Sequence, residues 1–210
     1  MILTDIHTHN NVTDERRIAI VNCDGNSING CKYASVGLHP WMINNDWEEC
    51  MQRIATAATK EQVRAIGECG IDLVKGCADE KLQETILRLH IELSESLQKP
   101  LILHIVKGQQ SIMRLRKEHS PTQPWIIHGF RGKAQQAHQY LDAGFYLSFG
   151  RLFNSEALAE TPIDHFFIES DDSDVPLIYI YETIAETIGI GIEELAEKMM
   201  LNSQHCKLLP

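Results

Sequence analysis

Two histidines stand at the end of the first apolar run of the chain. The run extends from Leu3 to His9, and His7 lies two residues before His9. Because residues two apart in a β-strand point to the same face, both rings would converge on one point. Neutral imidazoles that converge suit a divalent transition metal. The alternative is the edge of a hairpin with two solvated histidines.

Ligand-type side chains also end four later apolar runs. They are Glu68, His104, His128 and Asp171. Each has an ordinary alternative, since a Glu can be a charge on the rim of a sheet and a His can be hydrogen-bonded in a core. Together, however, four imidazoles and two carboxylates at the ends of strands one, four, five, six and eight can hold two divalent ions, with one carboxylate bridging. These nitrogen and oxygen ligands favour Zn²⁺, Mg²⁺ or Mn²⁺.

The predicted strands that must position these residues alternate along the chain with helical patterns or loops. Eight short apolar runs, separated by helical patterns or loops, are predicted strands: Ile2–His7, Ile18–Asn22, Tyr33–Val36, Val63–Glu68, Leu101–His104, Trp125–His128, Phe145–Phe149 and Phe166–Ser170. Strands buried on both faces and joined by crossovers form a parallel sheet. Eight of them predict an α/β protein of the (β/α)8 TIM-barrel class, whose active site lies at the C-terminal ends of the strands.

The crossovers are predicted to be unequal. Apolar residues at helical spacing predict a helix from Asp79 to Gln98, with Asp79 as its N-cap. Further helical patterns cover Glu48–Thr59, Gln109–His119, Lys133–Ala143 and Pro176–Met200, the last broken near Gly189 and Gly191. The first two crossovers, Asn10–Arg17 and Asp24–Gly30, are too short for full helices, so we expect about six. The outer faces of strands one to three would then need cover from a distant helix, from loops or, as we favour, from another subunit in a homo-oligomer.

Composition limits the class of protein. The 210 residues predict one domain spanning 1–210. The sequence shows neither a membrane-spanning run nor a signal peptide, so we expect a cytoplasmic protein with no membrane partner. Six cysteines without a CxxC pair are typical of reduced thiols. The formal net charge of −10 repels nucleic acid as a whole. A phosphoester substrate would therefore need metal ions and a local positive patch.

Basic residues that could form such a patch lie just past the ends of four successive strands. They are Lys75, Lys107, Arg131, Lys133 and Arg151. Lys and Arg side chains pair with phosphate oxygens. The alternative is that polar loops carry a few cations by chance. His39, within Gly37–Pro40 after the third strand, is predicted at the same end of the barrel, where a role toward the substrate or a ligand is favoured over a structural one.

Other polar residues have less specific predictions. The histidines on helices or helix ends are expected to be surface or packing residues: His90, His119, His138, His165 and His205. Glu169 shares a strand face with Asp171, and its role stays open. Asp5 and Asp72 could fix the tautomers of ligand imidazoles, as metal sites usually require. Asp5 is favoured because it alternates with His7 on one strand face.

Several motifs occur in the order of a known family across nearly the whole chain. They are Asp5–His9, Gly37–Pro40, Ala65–Asp72, Leu103–His104, His128–Gly132, Leu147–Gly150 and Ile168–Asp171. In these segments the chain resembles the TatD-type metal-dependent deoxyribonucleases and related hydrolases of the metallo-dependent hydrolase superfamily. The run Ala65–Asp72 is the most specific of the motifs.

The resemblance implies roles for the ligand residues. His7, His9, Glu68 and Asp171 would hold one ion, and Glu68, His104 and His128 would hold the second, with Glu68 bridging. The chain also departs from the family, which usually runs longer and has an Arg two residues after the fifth-strand His, where Val106 stands here. The long loop that usually follows the last Asp is shortened.

The predicted chemistry is hydrolysis by metal-activated water. Asp171 is the best-placed carboxylate to accept the proton of the water, and Glu68 is the second candidate catalytic carboxylate. A phosphodiesterase or deoxyribonuclease is favoured, with DNA as a candidate substrate. The first alternative is hydrolysis of a small ester, amide or lactone, and the second is a barrel that binds metal without turnover.

Overall fold

Eight strands form the sheet of this protein. The computed structural model describes residues 1–10, 14–26, 28 and 30–210. The strands are β1 (Leu3–Thr8), β2 (Arg17–Cys23), β3 (Tyr33–Val36), β4 (Val63–Asp72), β5 (Leu101–Val106), β6 (Trp125–Ile127), β7 (Tyr146–Phe149) and β8 (Phe166–Ile168). They follow one another in chain order, and a parallel bridge joins Thr8 to Asp171, just beyond β8. This is the strand arrangement of the (β/α)8 class, which confirms the predicted fold.

Helices follow every strand from β3 onward. They are α1 (Trp47–Ala58), α2 (Glu80–Leu97), α3 (Gln109–His119), α4 (Ala134–Asp142), α5 (Ser155–Glu160), α6 (Leu177–Ile188) and α7 (Ile192–His205). Asp79 caps α2 as predicted, since its side chain accepts a hydrogen bond from Leu82 N at 2.8 Å. The predicted break at Gly189 is present, because this residue ends α6 in the left-handed conformation. The sequence missed α5, whose six residues are too few to show a helical period.

The first two crossovers contain no helix in their described residues. Residues 11–13, 27 and 29 of these crossovers lie outside the described part of the chain. Helices from the end of the chain take over part of the covering role, because α6 and α7 pack against β1. The Tyr181 hydroxyl of α6 donates a hydrogen bond to the Thr4 carbonyl oxygen at 2.7 Å. A distant helix thus covers β1, and self-association stays a prediction.

Contacts group the chain into two compact units. The first unit comprises residues 1–21 and 127–210, and the second comprises residues 22–126. This grouping does not test the prediction of one domain. In the first unit, buried aromatic side chains fill the core, namely Tyr140, Phe145, Phe149, Phe166, Phe167 and Tyr181. Among the described residues, no helix combines the length and the apolar character that crossing a membrane requires.

In the second unit, β4 continues four residues beyond its predicted end at Glu68. Two glycines allow β5 to approach it closely. Gly67 and Gly70 have φ angles of +132° and +150°, which L side chains rarely adopt. A Cβ atom on Gly70 would collide with the carbonyl oxygen of His104. The glycines of the Ala65–Asp72 motif therefore bring Glu68 and His104 onto neighbouring strands.

Candidate metal centre

The first unit brings together four of the predicted ligands. His7, His128 and Asp171 offer ligand atoms that all lie within 4.8 Å of one another. His9 joins them, because its Nε2 lies 3.6 Å from Asp171 Oδ1. The rings of His7 and His128 have their centroids 4.4 Å apart. We call these four residues the histidine–aspartate group.

The backbone of Asp171 is tied directly to β1. Asp171 N donates to the His7 carbonyl oxygen at 3.0 Å, and its own carbonyl oxygen accepts from His9 N at 3.1 Å. Asp171 has a φ of +55°, a conformation that Asp adopts more readily than most residues. The backbone therefore turns at this residue, and its carboxylate faces His7 of β1 and His9 just beyond it.

Glu169 supports the histidine–aspartate group and is the residue whose role the sequence left open. Its Oε1 lies 3.2 Å from His128 Nδ1 and accepts from Gly129 N at 2.8 Å. Burial by itself would raise the pKa of this carboxyl group, but the neighbouring His128 outweighs burial and lowers it. Glu169 is therefore an anion that engages Nδ1 of His128, so Nε2 is the nitrogen that a metal ion would use.

The second unit brings together Glu68, His104 and His39, whose ligand atoms also lie within 4.8 Å of one another. Glu68 Oε1 lies 2.9 Å from His104 Nδ1 and 3.1 Å from His39 Nε2. We call these three residues the Glu68 group. His39 starts a short 3₁₀ helix, where its Nδ1 accepts from Trp41 N at 3.1 Å. His39 therefore lies beside Glu68, and its role at the site stays a prediction.

Asp72 orients the imidazole of His104. Its Oδ2 lies 3.1 Å from His104 Nε2 and accepts from Trp41 Nε1 at 2.6 Å. Burial would raise the pKa of Asp72, but hydrogen bonds from the backbone of Lys75, from the Trp41 indole and from Val74 N lower it to about 2. Asp72 is thus a stable anion beside Nε2 of His104, and Nδ1 is the ring nitrogen that faces Glu68.

The preference for Asp5 as an imidazole partner is not supported. Its carboxylate pairs with Arg17 and accepts from Ser170 N at 3.0 Å and from Ser170 Oγ at 2.9 Å. Arg17 Nη2 also donates to Ser170 Oγ at 2.8 Å and to Thr8 Oγ1 at 3.2 Å. Alternation along β1 gave the correct face for Asp5, but it could not show that Arg17 reaches this carboxylate first.

Asn22 is a residue near the Glu68 group that sequence reasoning missed. Its Oδ1 accepts from Glu68 N at 2.9 Å, and its Nδ2 lies 3.5 Å from Glu68 Oε2. The side chain therefore fixes both the backbone and the carboxylate of Glu68. A polar amide in the strand Arg17–Cys23 was the available signal, since a polar side chain that is partly withdrawn from water normally has a defined partner.

The other predicted residues lie where the sequence placed them. His90 is buried in α2, accepts from Leu38 N at 3.0 Å and contacts the Ile86 carbonyl oxygen through Nδ1, so it is a packing residue. None of the remaining helix and helix-end histidines belongs to either ligand group within the described residues. The five basic residues past the strand ends are exposed: Lys75, Lys107, Arg131, Lys133 and Arg151. Their contact with substrate stays a prediction.

The donor atoms of both groups suit divalent ions. Glu68 is 3% exposed, and two imidazole nitrogens face one of its oxygens. Imidazole nitrogen and carboxylate oxygen are the donors preferred by Zn²⁺ and shared with Mn²⁺, whereas thiolates are absent from the described groups. A (β/α)8 protein with such groups at its strand ends has the features of a barrel metalloprotein.

Comparison with known proteins identifies the family. The family model described as "TatD related DNase" matches residues 25–206, and the chain therefore belongs to this family. An "uncharacterized metal-dependent hydrolase" of Buchnera aphidicola (subspecies Baizongia pistaciae) is 33% identical over 168 residues, which are 71% of this chain and 63% of the relative. The metal-dependent hydrolase YjjV of Escherichia coli is 26% identical over 154 residues, 69% of this chain and 60% of YjjV. The chain thus spans somewhat less than two thirds of these relatives.

Solved structures show the same fold. The crystal structure of YjjV matches with a TM-score of 0.83 and 19% identity, covering 99% of this chain and 98% of that one. A TatD-family hydrolase of Entamoeba histolytica matches with a TM-score of 0.75 and 15% identity, covering 98% of each chain.

Proposed function

We propose that this protein is a divalent-metal-dependent hydrolase that cleaves phosphodiesters, as a deoxyribonuclease does. The observation that carries the proposal is the gathering of imidazoles and carboxylates into two groups with ligand atoms within 4.8 Å. A bound divalent ion would lower the pKa of its water toward neutrality and so supply a hydroxide nucleophile. Membership of a family described as DNases supports the substrate class.

The ligand roles follow from the contacts of each group. The histidine–aspartate group is proposed to hold one ion, and the Glu68 group a second, with Zn²⁺, Mg²⁺ or Mn²⁺ as candidates. The resemblance assigns His128 to the second ion, whereas in the first unit His128 lies beside His7 and Asp171. His39 is an additional candidate ligand, because it lies as close to Glu68 as His104 does, within a few tenths of an ångström. Bridging by Glu68 stays a prediction.

Asp171 is the proposed proton acceptor. Its side chain is 24% exposed, whereas that of Glu68 is 3% exposed. A carboxylate that reaches water can take a proton from it and release that proton to solvent, and a buried carboxylate does so less readily. Asp171 is therefore proposed to bind metal and accept the proton, while Glu68 binds metal.

Exposed cations are proposed to bind the phosphate groups. Lys107 follows β5 directly, and Arg131 lies in the loop after β6. A charge-assisted hydrogen bond to phosphate is stronger than a neutral one. We expect Lys107→Ala or Arg131→Ala to lower kcat/KM on an anionic phosphodiester by roughly 10-fold. The loss should shrink on a neutral ester. Equal losses on both substrates would contradict a phosphate-binding role.

A substrate screen tests the function as a whole. The protein would be assayed with Mg²⁺, Mn²⁺ or Zn²⁺ on single-stranded oligonucleotides, on bis(nitrophenyl) phosphate and on nitrophenyl acetate. We expect cleavage of the phosphodiesters, and loss of that cleavage in Asp171→Asn. His138→Ala is the matched control, because His138 is exposed on α4 and contacts Glu160 instead of a ligand. Activity on the acyl ester alone would contradict the proposal.

A small ester, amide or lactone is the second candidate substrate. The loop after Asp171 is short, since α6 begins at Leu177, and the net charge is −10. Both features favour a compact substrate without a polyanionic chain.

The protein is also proposed to be located in the cytoplasm and to form a homo-oligomer. Each of these two proposals needs its own measurement.

A further inference from the structure

A cluster of exposed apolar side chains lies on the loops that follow β3 and β4. It consists of Trp41, Met42, Leu73 and Val74, which are 43%, 64%, 42% and 58% exposed. We call these four residues, together with the neighbouring Lys75, the aromatic shelf. Single exposed apolar residues are ordinary, but several adjacent ones beside a functional group indicate a binding surface.

Hydrogen bonds hold the indole of Trp41 in place. Its Nε1 donates to Asp72 Oδ2 at 2.6 Å. Cys77 Sγ donates to the Trp41 carbonyl oxygen at 2.8 Å, and Cys77 N donates to the Pro40 carbonyl oxygen at 3.2 Å. The two loops are therefore joined to each other, and one hydrogen bond anchors the indole although it is exposed. A fixed aromatic ring binds a flat partner with little loss of conformational entropy.

The shelf adjoins the Glu68 group. The Trp41 ring centroid lies 4.9 Å from that of His39 and 5.7 Å from that of His104. A molecule that rests on the indole would thus lie within one nucleotide's length of the candidate metal ligands. The position links the shelf to the chemistry of the site.

A cation accompanies the aromatic ring. Lys75 Nζ lies over the Trp41 ring, 4.9 Å from its centroid. Lys75 is exposed, so its ammonium group can leave the ring and meet a phosphate. An aromatic platform beside a mobile cation is the pattern by which proteins bind single-stranded nucleic acid without reading its sequence.

We propose that the aromatic shelf stacks an unpaired nucleobase of a single-stranded oligonucleotide whose phosphodiester is cleaved at the adjacent site. The proposal rests on the proposed function and extends it, since it assigns a base-bearing, single-stranded substrate. A purely apolar partner would leave Lys75 and the nearby ligand group unused. A nucleotide instead uses the ring, the cation and the metal ligands together.

Two variants separate stacking from support of the site. Trp41→Phe and Trp41→Leu both lose the indole hydrogen bond to Asp72, but only Trp41→Leu loses the aromatic face. The substrates are two single-stranded oligonucleotides of equal length, one with normal bases and one in which abasic sugars replace the nucleosides. The measured quantity is the ratio of kcat/KM for the two substrates, from which any common effect on the metal group cancels.

We expect the unaltered protein to prefer the base-bearing oligonucleotide by roughly 10-fold, the scale of stacking one base on an aromatic side chain. Trp41→Phe should keep most of this preference, and Trp41→Leu should reduce it to about 2-fold or less. Equal preference in all three proteins, or equal loss in both variants, would overturn the stacking role.

The remaining outcomes distinguish the two proposals. Cleavage of both oligonucleotides with equal efficiency by the unaltered protein overturns the shelf and leaves the proposed function standing. Cleavage of neither with Mg²⁺, Mn²⁺ or Zn²⁺ overturns the proposed function and the shelf with it. A dimer that dissociates on Trp41→Leu, measured by light scattering, would show that a second copy of the chain occupies the surface instead.

Discussion

At the residue scale, each group contains one candidate ligand histidine whose imidazole contacts a buried carboxylate. Glu169 contacts His128 through Nδ1, and Asp72 contacts His104 through Nε2, which leaves the other nitrogen of each ring as the candidate metal donor. Such partners fix the tautomer of the ring and increase its basicity as a ligand. The surface pair of Glu160 and His138 has the same chemistry without a nearby ligand group, so it supplies an internal control.

Removing the charge of Glu169 should weaken one ion selectively. Glu169→Gln keeps the size of the side chain but removes its negative charge. The neutral amide cannot increase the basicity of the His128 imidazole as the carboxylate does. We expect a loss of roughly 10- to 100-fold in divalent-ion affinity at the histidine–aspartate group, measured by competition with a chelating dye. Glu160→Gln should change nothing. Unaltered affinity in Glu169→Gln would contradict the orienting role.

The types and spacing of the predicted ligands were visible in the sequence, but their partners were not. Alternation along β1 predicts that His7 and His9 share a face, and the structure gathers both around Asp171. The contact of Asp72 with His104 depends on how far β4 continues past Glu68. That extension depends on close backbone approach at Gly70, which the spacing of side chains does not reveal.

At the scale of elements, one ion pair between a buried carboxylate and a partly buried guanidinium group joins β1, β2 and the segment just after β8. Arg17 from β2 pairs with Asp5 of β1, and both bind the Ser170 hydroxyl next to Asp171. Burial raises the pKa of Asp5, while the Arg17 charge lowers it. The nearby charge of Arg17 therefore stabilises the ionised form of the buried Asp5 carboxyl group.

Loss of this arginine should destabilise the protein strongly. Arg17→Met leaves the Asp5 carboxylate buried without a cation, and we expect the free energy of unfolding to fall by about 3 kcal/mol in denaturant titrations at neutral pH. Adding Asp5→Asn to the same variant removes the uncompensated charge and should recover about half of the loss. A decrease below about 1 kcal/mol in Arg17→Met would show that water reaches the pair.

His90 in α2 should make stability depend on pH. Burial lowers its pKa in the folded protein to about 4, against an ordinary value of 6.5. Between these values the unfolded chain binds the proton and the folded protein does not, so stability is present above pH 6.5 and is lost as the pH falls toward 4. Between pH 7 and pH 5 the loss amounts to about 2 kcal/mol.

The measurement compares the unaltered protein with His90→Gln in the presence of a chelator. Glutamine can still accept from Leu38 N and donate to the Ile86 carbonyl oxygen, but it does not titrate. The variant should therefore lose about 2 kcal/mol less between pH 7 and pH 5. Parallel profiles of stability against pH for the two proteins would show that His90 binds a proton equally well in the folded and the unfolded state.

Long, periodic helices were predicted well, and the shortest α-helix was not. The predicted helix Gln109–His119 coincides with α3, because its apolar residues span three turns. The six-residue α5 shows no such period. The cover of β1 by α6 and α7 was one of the alternatives that the sequence left open, since it depends on contacts between residues such as Thr4 and Tyr181 that lie 177 positions apart.

At the scale of the whole molecule, metal ions should stabilise the folded protein, and the contribution of each ion should be separable from that of the other. A ligand that binds only the folded state adds about 2.7 kcal/mol at a concentration of 100 times its Kd. We expect Zn²⁺ or Mn²⁺ to raise the thermal midpoint, and metal analysis to show up to two ions per chain. His7→Ala and His104→Ala should each remove one ion and part of the stabilisation. Loss of all metal in either variant would indicate one cooperative site.

The division of the chain into contact units has a consequence for synthesis on the ribosome. Residues 22–126 form a continuous unit, whereas the other unit combines residues 1–21 with residues 127–210. All residues of the continuous unit are present once residue 126 has been added. The other unit lacks the contacts of β1 with α6 and α7 until the residues of those two helices have been added. The nascent chain therefore carries His7 and His9 without Asp171 until residue 171 is made, so the histidine–aspartate group assembles only after the continuous unit has been synthesised.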